Sequence, residues 1–435
     1  MSHLSRYANA IVADGVVVWH SVLGNPISIH CDTWELLKSG KFDAIDAEEL
    51  SLLGSLGYIV EKDEPLDYFY SNIDKELSLG YNFEFLKTAF FIVTNACNLN
   101  CQYCMFRSLG GNSALHLSFE DFKKAMKSIS SFFTRKDTPL IVTFSGGEPL
   151  LRKDFIVDCV AYLKSEYPSI NFDFRILTNA TLLNDEVAQF LKENNFHLHL
   201  SIDGLQSEHT KVRPFEANNH SRNSSFDGIL RAVELVKKYK LDIGAIQVTL
   251  CEDNFELNPC HLLHFIKESF ALDRISIEPD ITLSAGRIPV DNIAEKLIAF
   301  WEEGNRQEIE ITGFWLRPYL SLFENYLHKT RLTWCGATRG TGLVITPEGH
   351  WKTCAYLPDT LGNINDSEEL IKHNWQSWCE KYRNEQRQQC QGCELEFLCM
   401  GGCLVSNRTF ESSTYKCDLY KSVFKKLIRK HLEEE

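Results

Sequence analysis

Apolar and polar positions change period several times along the chain. Between residues 89 and 301, short apolar runs with strand spacing fall at 89–95, 140–145, 173–178, 197–202, 243–250 and 274–278. Stretches with helical spacing lie between them, near 118–132, 154–165, 185–193, 225–239 and 257–270. Six strands, each followed by a crossover helix, predict right-handed βα units and a parallel sheet, either doubly wound or curled into a partial barrel. The C-terminal ends of such strands are where chemistry collects. Ahead of this region an apolar run at 16–19, a Gly24-Asn25-Pro26 turn, a second strand-like run, helical stretches at 33–39 and 47–56 and a short run at 58–60 predict two hairpin strands and two helices, an order that suits a winged-helix-like module. Asp32 and Asp46 are placed to cap its helices, with Glu35 and Glu49 three residues on. An acidic linker follows at 61–79, with Pro65 interrupting any helix. From about 330 onward the alternation gives way to cysteine, glycine and charge, the composition of a metal-organised domain. The division expected is therefore 1–80, 81–325 and 326–435.

Composition narrows the function classes. The chain has 435 residues with 45 Lys plus Arg against 59 Asp plus Glu, a formal net charge of −14 that opposes the phosphate neutralisation needed for nucleic-acid binding. No apolar stretch approaches the roughly 18 residues that cross a bilayer, and residues 1–15 lack a basic start followed by an apolar signal region. The expectation is a cytoplasmic protein with no nucleic-acid or membrane partner. In that compartment structural disulfides are rare, so the 15 cysteines point to metal ligation. Cys31, Cys159, Cys251, Cys260 and Cys379 are scattered; the other ten fall into two spaced sets.

The first set, Cys97, Cys101 and Cys104, directly follows the first strand of the alternating region. Three sulfurs on a short loop can hold three corners of an iron–sulfur cube and leave the fourth iron open, whereas a structural zinc would want a fourth ligand that this loop lacks. This spacing, with Tyr103 just before the third cysteine, resembles the radical S-adenosylmethionine (SAM) enzymes over about 89–279. Gly146-Gly147-Glu148-Pro149 after the second strand resembles the family's cradle for the cofactor's amino group, with a carboxylate to accept from an ammonium and glycines that let backbone approach the ligand. Thr178 and Asn179 end the third strand, Ser201 and Asp203 the fourth, and Glu278 the sixth, near the expected adenine position. Arg213 resembles the arginine for the cofactor carboxylate, with Arg222 as its rival. The resemblance implies that Cys97, Cys101 and Cys104 carry the catalytic cluster.

The second set runs Cys335, Gly349, Cys354, then Cys390, Cys393, Cys399, Cys403 and Cys417. Two zinc-ribbon sites are compatible with the paired spacing. The pattern resembles the seven-cysteine SPASM extension over about 334–419, found on radical enzymes that modify peptides and proteins. That resemblance implies two auxiliary clusters, one held by Cys335, Cys354 and Cys403 and one by Cys390, Cys393, Cys399 and Cys417, hence three [4Fe–4S] clusters with S-adenosyl-L-methionine. The first auxiliary cluster then lacks one ligand, which Cys379, Cys251, Cys260, a substrate or water could supply. The fold class expected is α/β, a partial (β/α)6 radical SAM barrel with an N-terminal winged-helix-like module and a C-terminal SPASM domain. Flavodoxin or ferredoxin is implied as reductant and a ribosomally made precursor peptide as substrate, its leader bound by the N-terminal module through strand addition. A related branch, the sulfatase maturases, places an aspartate where this chain has Ala355. The same cysteines would also serve a non-catalytic iron–sulfur protein that binds peptides or relays electrons.

Overall fold

The computed structural model describes residues 2–12, 16–62, 71, 74–75, 83, 85–106, 114–135, 137–216, 224–280, 288–323, 335–405 and 415–433. Arg222 and the linker around Pro65 lie outside the described residues. The chain divides into two units that cut across the expected sequential division. The first comprises Met1–Ser78, Phe314–Cys335 and Lys381–Glu435, and the second Leu79–Gly313 and Gly336–Glu380.

In the first unit, β1 (His3–Leu4) pairs antiparallel with β5 (Ile59–Val60), and β2 (Ala8–Val12), β3 (Val16–His20) and β4 (Gly24–Ile29) form an antiparallel sheet in that order. Every residue of β3 is buried, which is why it reads as a continuous apolar run rather than an alternating one. Val16 and Val18 join Trp34, Leu37, Leu53 and Tyr58 in one core, and the Tyr58 hydroxyl donates to the Val18 carbonyl at 3.1 Å. The sheet has a third strand where two were expected, because the alanines and Asn9 of β2 carry little strand preference. Helices Cys31–Lys38 and Ala47–Ser55 follow. Asp46 caps the second as expected, whereas the first is capped by the imidazole of His30 and Asp32 sits inside its first turn, facing the positive end of the helix dipole. Helix Glu368–Cys390, of which Lys381–Cys390 belongs to this unit, ends on Cys390, and helix Tyr415–Glu433 carries Cys417.

The second unit is built on β6 (Thr88–Thr94), β7 (Leu140–Gly146), β8 (Phe172–Thr178), β9 (His197–Ser201), β10 (Asp242–Leu250) and β11 (Arg274–Pro279), the six strands expected. Two more parallel strands extend them, β12 (Glu310–Thr312) beside β11 and β13 (Gly342–Ile345) beside β6, followed by antiparallel β14 (His350–Lys352) and β15 (Gly362–Asn363). Residues 336–380 thus join the parallel sheet rather than the cysteine-rich C-terminal segment, since Gly342–Ile345 pairs with 88–91. From β6 to β12 the spatial order follows the chain without reversal, which excludes the doubly wound alternative. Crossover helices with Ser118, Asn184, Ser224 and Asn258 as N-caps cover one face. There Phe91, Phe122 and Phe144 pack ring to ring, and Phe144 and Phe174 both meet Phe196. Arg175, His197, Gln247 and Ser276 point to the other face and keep partial exposure.

Candidate active site

Past β6 the chain turns into the Cys97–Cys104 loop. Backbone bonds sew this loop to the end of helix Gln206–Val212 and the segment after it: Gln102 N to Val212 O at 3.3 Å, Asn100 N to Pro214 O at 2.7 Å, and a bridge between Leu99 and Phe215. Leu99 is buried and anchors the middle of the loop. The three thiols are half-buried and free of disulfides. Burial pushes Cys97 up to about 12, opposed by the Leu99 N–H and reinforced by Glu148, Cys101 and Cys104. Burial also raises Cys101 against the pull of Arg213. Three half-buried thiols on one loop, with Cys97 and Cys101 held protonated by burial in the absence of a metal, form a donor set that a cationic cluster core fits.

Gly146 and Gly147 bind the end of β7 to this loop. Gly147 N donates to Thr94 O and Glu148 N to Ala96 O, both at 2.8 Å. Gly146 has φ +145°, and a Cβ on it would sit 2.1 Å from Thr94 O; one on Gly147 would sit 2.1 Å from Ala96 O. The close approach these glycines permit is therefore to the backbone that carries Cys97, where the sequence suggested an approach to ligand. Glu148 is fully buried. One carboxylate oxygen accepts from Thr178 Oγ1 at 2.7 Å and Leu150 N at 3.0 Å, the other from Asn179 N at 2.9 Å. Burial still pushes it up to about 7 despite these donors. Pro149 opens the short 3-10 turn Pro149–Arg152. Asn179 Nδ2 donates to Asn98 Oδ1 at 3.0 Å and lies 3.9 Å from Cys97 Sγ, which joins the cradle to the cysteine loop.

A second buried network was not legible in the sequence. Asp203 is fully buried and accepts from the Tyr103 hydroxyl, from Arg213 Nε at 2.6 Å and from Thr249 N at 2.8 Å. The Arg213 guanidinium lies 5.4 Å from the Tyr103 ring centroid, and its Nη1 is 3.8 Å from Cys101 Sγ. Asp203 and Tyr103 keep Arg213 cationic despite its burial. Beneath it, His209 Nδ1 accepts from Asp203 N at 3.2 Å, and burial lowers that imidazole to about 3, so it is neutral. Asn254 Nδ2 donates to Asp203 O at 2.8 Å. Neither His209 nor Asn254 stands in a recognisable motif. Ser201 and Glu278 face the same side of the sheet from β9 and β11, with Gln247 and Thr249 of β10 opposite them. The structure thus groups Cys97, Glu148, Thr178 and Asn179 on one side of the loop and Cys101, Tyr103, Asp203 and Arg213 on another.

In the first unit, Cys390, Cys393, Cys399 and Cys417 form a further thiol group. Cys399 is raised by burial and by each of the other three, and Cys390 is pushed up to about 12 by burial with Cys393 and Cys417 adding. The intervening loop winds through left-handed Gly392, Phe397, Met400, Gly401 and Gly402. Three half-buried thiols and the exposed Cys417, gathered where Cys390 and Cys399 resist ionisation, form a donor set that a metal centre fits. Cys335 and Cys403 belong to the same unit, and Cys354 to the second.

Residues 91–256 match the family described as the Radical SAM superfamily. The radical SAM cyclopropyl synthase TigE of Paramaledivibacter caminithermalis is 24% identical over 98% of this chain and 96% of its own. The cysteine-type anaerobic sulfatase-maturating enzyme of Clostridium perfringens is 26% identical over 76% of this chain and 93% of its own. Among solved structures, anSMEcpe with bound AdoMet superposes with TM-score 0.62 at 20% identity, over 80% of this chain and 94% of that one. Streptococcus suis SuiB bound to precursor peptide SuiA gives 0.55 at 16%, over 95% and 98%. Among the described residues no helix is long and apolar enough to cross a membrane.

Proposed function

Because this chain belongs to the radical SAM superfamily through residues 91–256, whose members bind AdoMet and a [4Fe–4S] cluster, we propose that it is a maturase that crosslinks side chains of a ribosomally synthesised precursor peptide. The observation that carries this reading is the placement of a buried carboxylate, Glu148, and a buried guanidinium, Arg213, on either side of one three-cysteine loop. An amino acid moiety has an ammonium and a carboxylate to offer to that pair, and an electron carrier has no use for it. When bound, the reduced cluster and S-adenosylmethionine supply a 5′-deoxyadenosyl radical that removes one hydrogen atom from a substrate C–H bond.

In this reading Cys97, Cys101 and Cys104 hold the catalytic cluster. Glu148 takes the ammonium, with Gly146, Gly147 and Pro149 shaping the turn and Thr178 and Asn179 fixing the carboxylate. Arg213, oriented by Asp203 and Tyr103, takes the cofactor carboxylate, and Ser201 and Glu278 face the ribose and adenine. The chain's task is positioning: the radical carbon must meet one C–H bond with water excluded. Cys335, Cys354 and Cys403 hold one auxiliary cluster and Cys390, Cys393, Cys399 and Cys417 another, in a SPASM domain. The N-terminal winged-helix-like module captures the leader as an added strand on the sheet β2–β4. A cytoplasmic flavodoxin or ferredoxin is the reductant. The precursor-peptide complex of SuiB supports a peptide substrate, and Ala355 argues against the sulfatase-maturase branch. The test is anaerobic incubation of reconstituted protein with reductant, S-adenosylmethionine and candidate ribosomal precursor peptides. The expected result is 5′-deoxyadenosine together with a peptide lighter by two hydrogens per crosslink, one taken up as the hydrogen atom of 5′-deoxyadenosine and the other leaving as a proton whose electron an auxiliary cluster would accept; cofactor cleavage with an unaltered peptide rejects the substrate assignment.

A further inference from the structure

The N-terminal sheet does more than offer an edge. Trp19, at the end of β3, is fully buried, and its indole N–H donates to the carbonyl of Glu394 at 3.3 Å. Glu394 directly follows Cys393, and its carboxylate is held by Lys425 at 2.9 Å. The Trp19 ring packs edge-on against Phe424 of helix Tyr415–Glu433, the helix that carries Cys417, at 5.2 Å between centroids. Tyr7, just before β2, packs against Phe397 at 6.0 Å, and Phe397 is one of the left-handed residues in the loop between Cys393 and Cys399. Trp19 of the sheet and Tyr7 just before it therefore touch three points around the four-thiol group: the peptide after Cys393, the turn before Cys399 and the helix bearing Cys417.

We propose that Trp19 is a positioning residue for the centre held by Cys390, Cys393, Cys399 and Cys417, seating the Cys393–Cys399 loop through its indole N–H. The inference rests on the reading of those cysteines as an auxiliary cluster. Its physical basis is that the loop's own turn bonds run between Cys390, Cys393, Leu395, Glu396, Leu398 and Cys399, while the carbonyl of Glu394, next to Cys393, is met from outside the loop by the indole N–H on a buried strand. An ordered donor there fixes the peptide that carries Cys393. A consequence is that the module is not separable: removing residues 1–80 takes away one wall of the metal site along with the peptide-binding edge.

The test compares iron release from three anaerobically reconstituted full-length proteins. Trp19→Phe keeps the packing against Phe424 and removes the N–H, while Trp19→Tyr restores neither the indole nor its reach. For the unsubstituted chain about twelve iron per chain are expected, of which about four belong to this centre. Loss of one neutral hydrogen bond predicts about three- to tenfold faster chelator release of those four iron in both variants, with the rest unaltered, and a shifted electron paramagnetic resonance spectrum of the reduced auxiliary centre. Equal release rates and an unchanged spectrum in Trp19→Phe overturn the proposal. A control with Cys390, Cys393 and Cys399 replaced by Ala separates the two failures. If it keeps its full iron, the cluster reading itself falls and the role of Trp19 with it; if it loses about four iron while Trp19→Phe behaves as the parent, only the role of Trp19 falls.

Discussion

Replacing Glu148 by Gln tests the cradle at its most constrained atom. The carboxylate receives three donors, Thr178 Oγ1 and Leu150 N on one oxygen and Asn179 N on the other. A glutamine has one acceptor oxygen. If its NH2 faces Asn179 N, two donors oppose each other; if it faces Leu150 N, the same happens there and only the Thr178 hydroxyl can rotate to adapt. One backbone donor is thus left unsatisfied in either orientation, and the charge that would take the cofactor ammonium is gone. Hydrogen bonds to charged groups contribute about 1.5–3 kcal/mol, so the affinity for S-adenosylmethionine is expected to fall about ten- to a hundredfold. The pH dependence follows from the position of Glu148 at about 7 before ligand arrives. An ammonium is taken only by the ionised carboxylate, so affinity should fall as pH drops below about 7, by at most about tenfold per unit. Above about 8 the amino group of the cofactor loses its own proton, which leaves a narrow window of tightest binding. The assay is equilibrium dialysis of cluster-replete protein from pH 6 to 9. Equal affinity for both proteins, or an acid limb that persists in Glu148→Gln, would refute the assignment.

Replacing Cys97, Cys101 and Cys104 together by Ala should remove about four iron per chain and abolish 5′-deoxyadenosine formation, read by iron assay and chromatography. Asp203→Asn strips the buried Arg213 of its counter-charge, and breaking such a pair costs about 3–5 kcal/mol, to be measured by denaturant unfolding. Because Asp203 also holds the Tyr103 hydroxyl, the variant should in addition lose cofactor affinity; a stability within about 1 kcal/mol of the parent would contradict the network. Gly147→Ala places a methyl group 2.1 Å from Ala96 O, so the Cys97 loop must shift, and the protein is expected to reconstitute with less iron at the first site while the other thiol group loads normally.

What the sequence disclosed and what it withheld follow from the range of the forces involved. The six strands β6–β11 were readable because one face of each is mostly apolar, and the helix starts were readable from local caps such as Ser118 and Asn258. Strands β12 and β13 are three and four residues long, too short to show a period, and pairing alone defines them. The cysteine spacings are local and stood out. The partners of Arg213 did not, because Asp203 meets Tyr103 across 100 residues of chain. The role of Gly146 and Gly147 was likewise misdirected, since a glycine marks a close approach without saying to what. Trp19 looked like one more apolar residue in a strand, and its contact with Glu394 spans 375 positions.

The pairing of β13 with β6 has a consequence for how the protein is made. The strand that leads into the Cys97–Cys104 loop is flanked on one side by β7, its immediate successor, but on the other by Gly342–Ile345. As the chain leaves the ribosome, β6 therefore presents an unsatisfied edge until about 250 further residues have been synthesised, the interval in which unpaired strands invite wrong partners. Metal insertion before that moment would meet a loop rooted on a half-secured strand. The Cys97–Cys104 loop thus gains a fully paired root only once Gly342–Ile345 has been made, and nascent chains halted before residue 342 should aggregate or bind added iron less tightly than chains released just beyond 352.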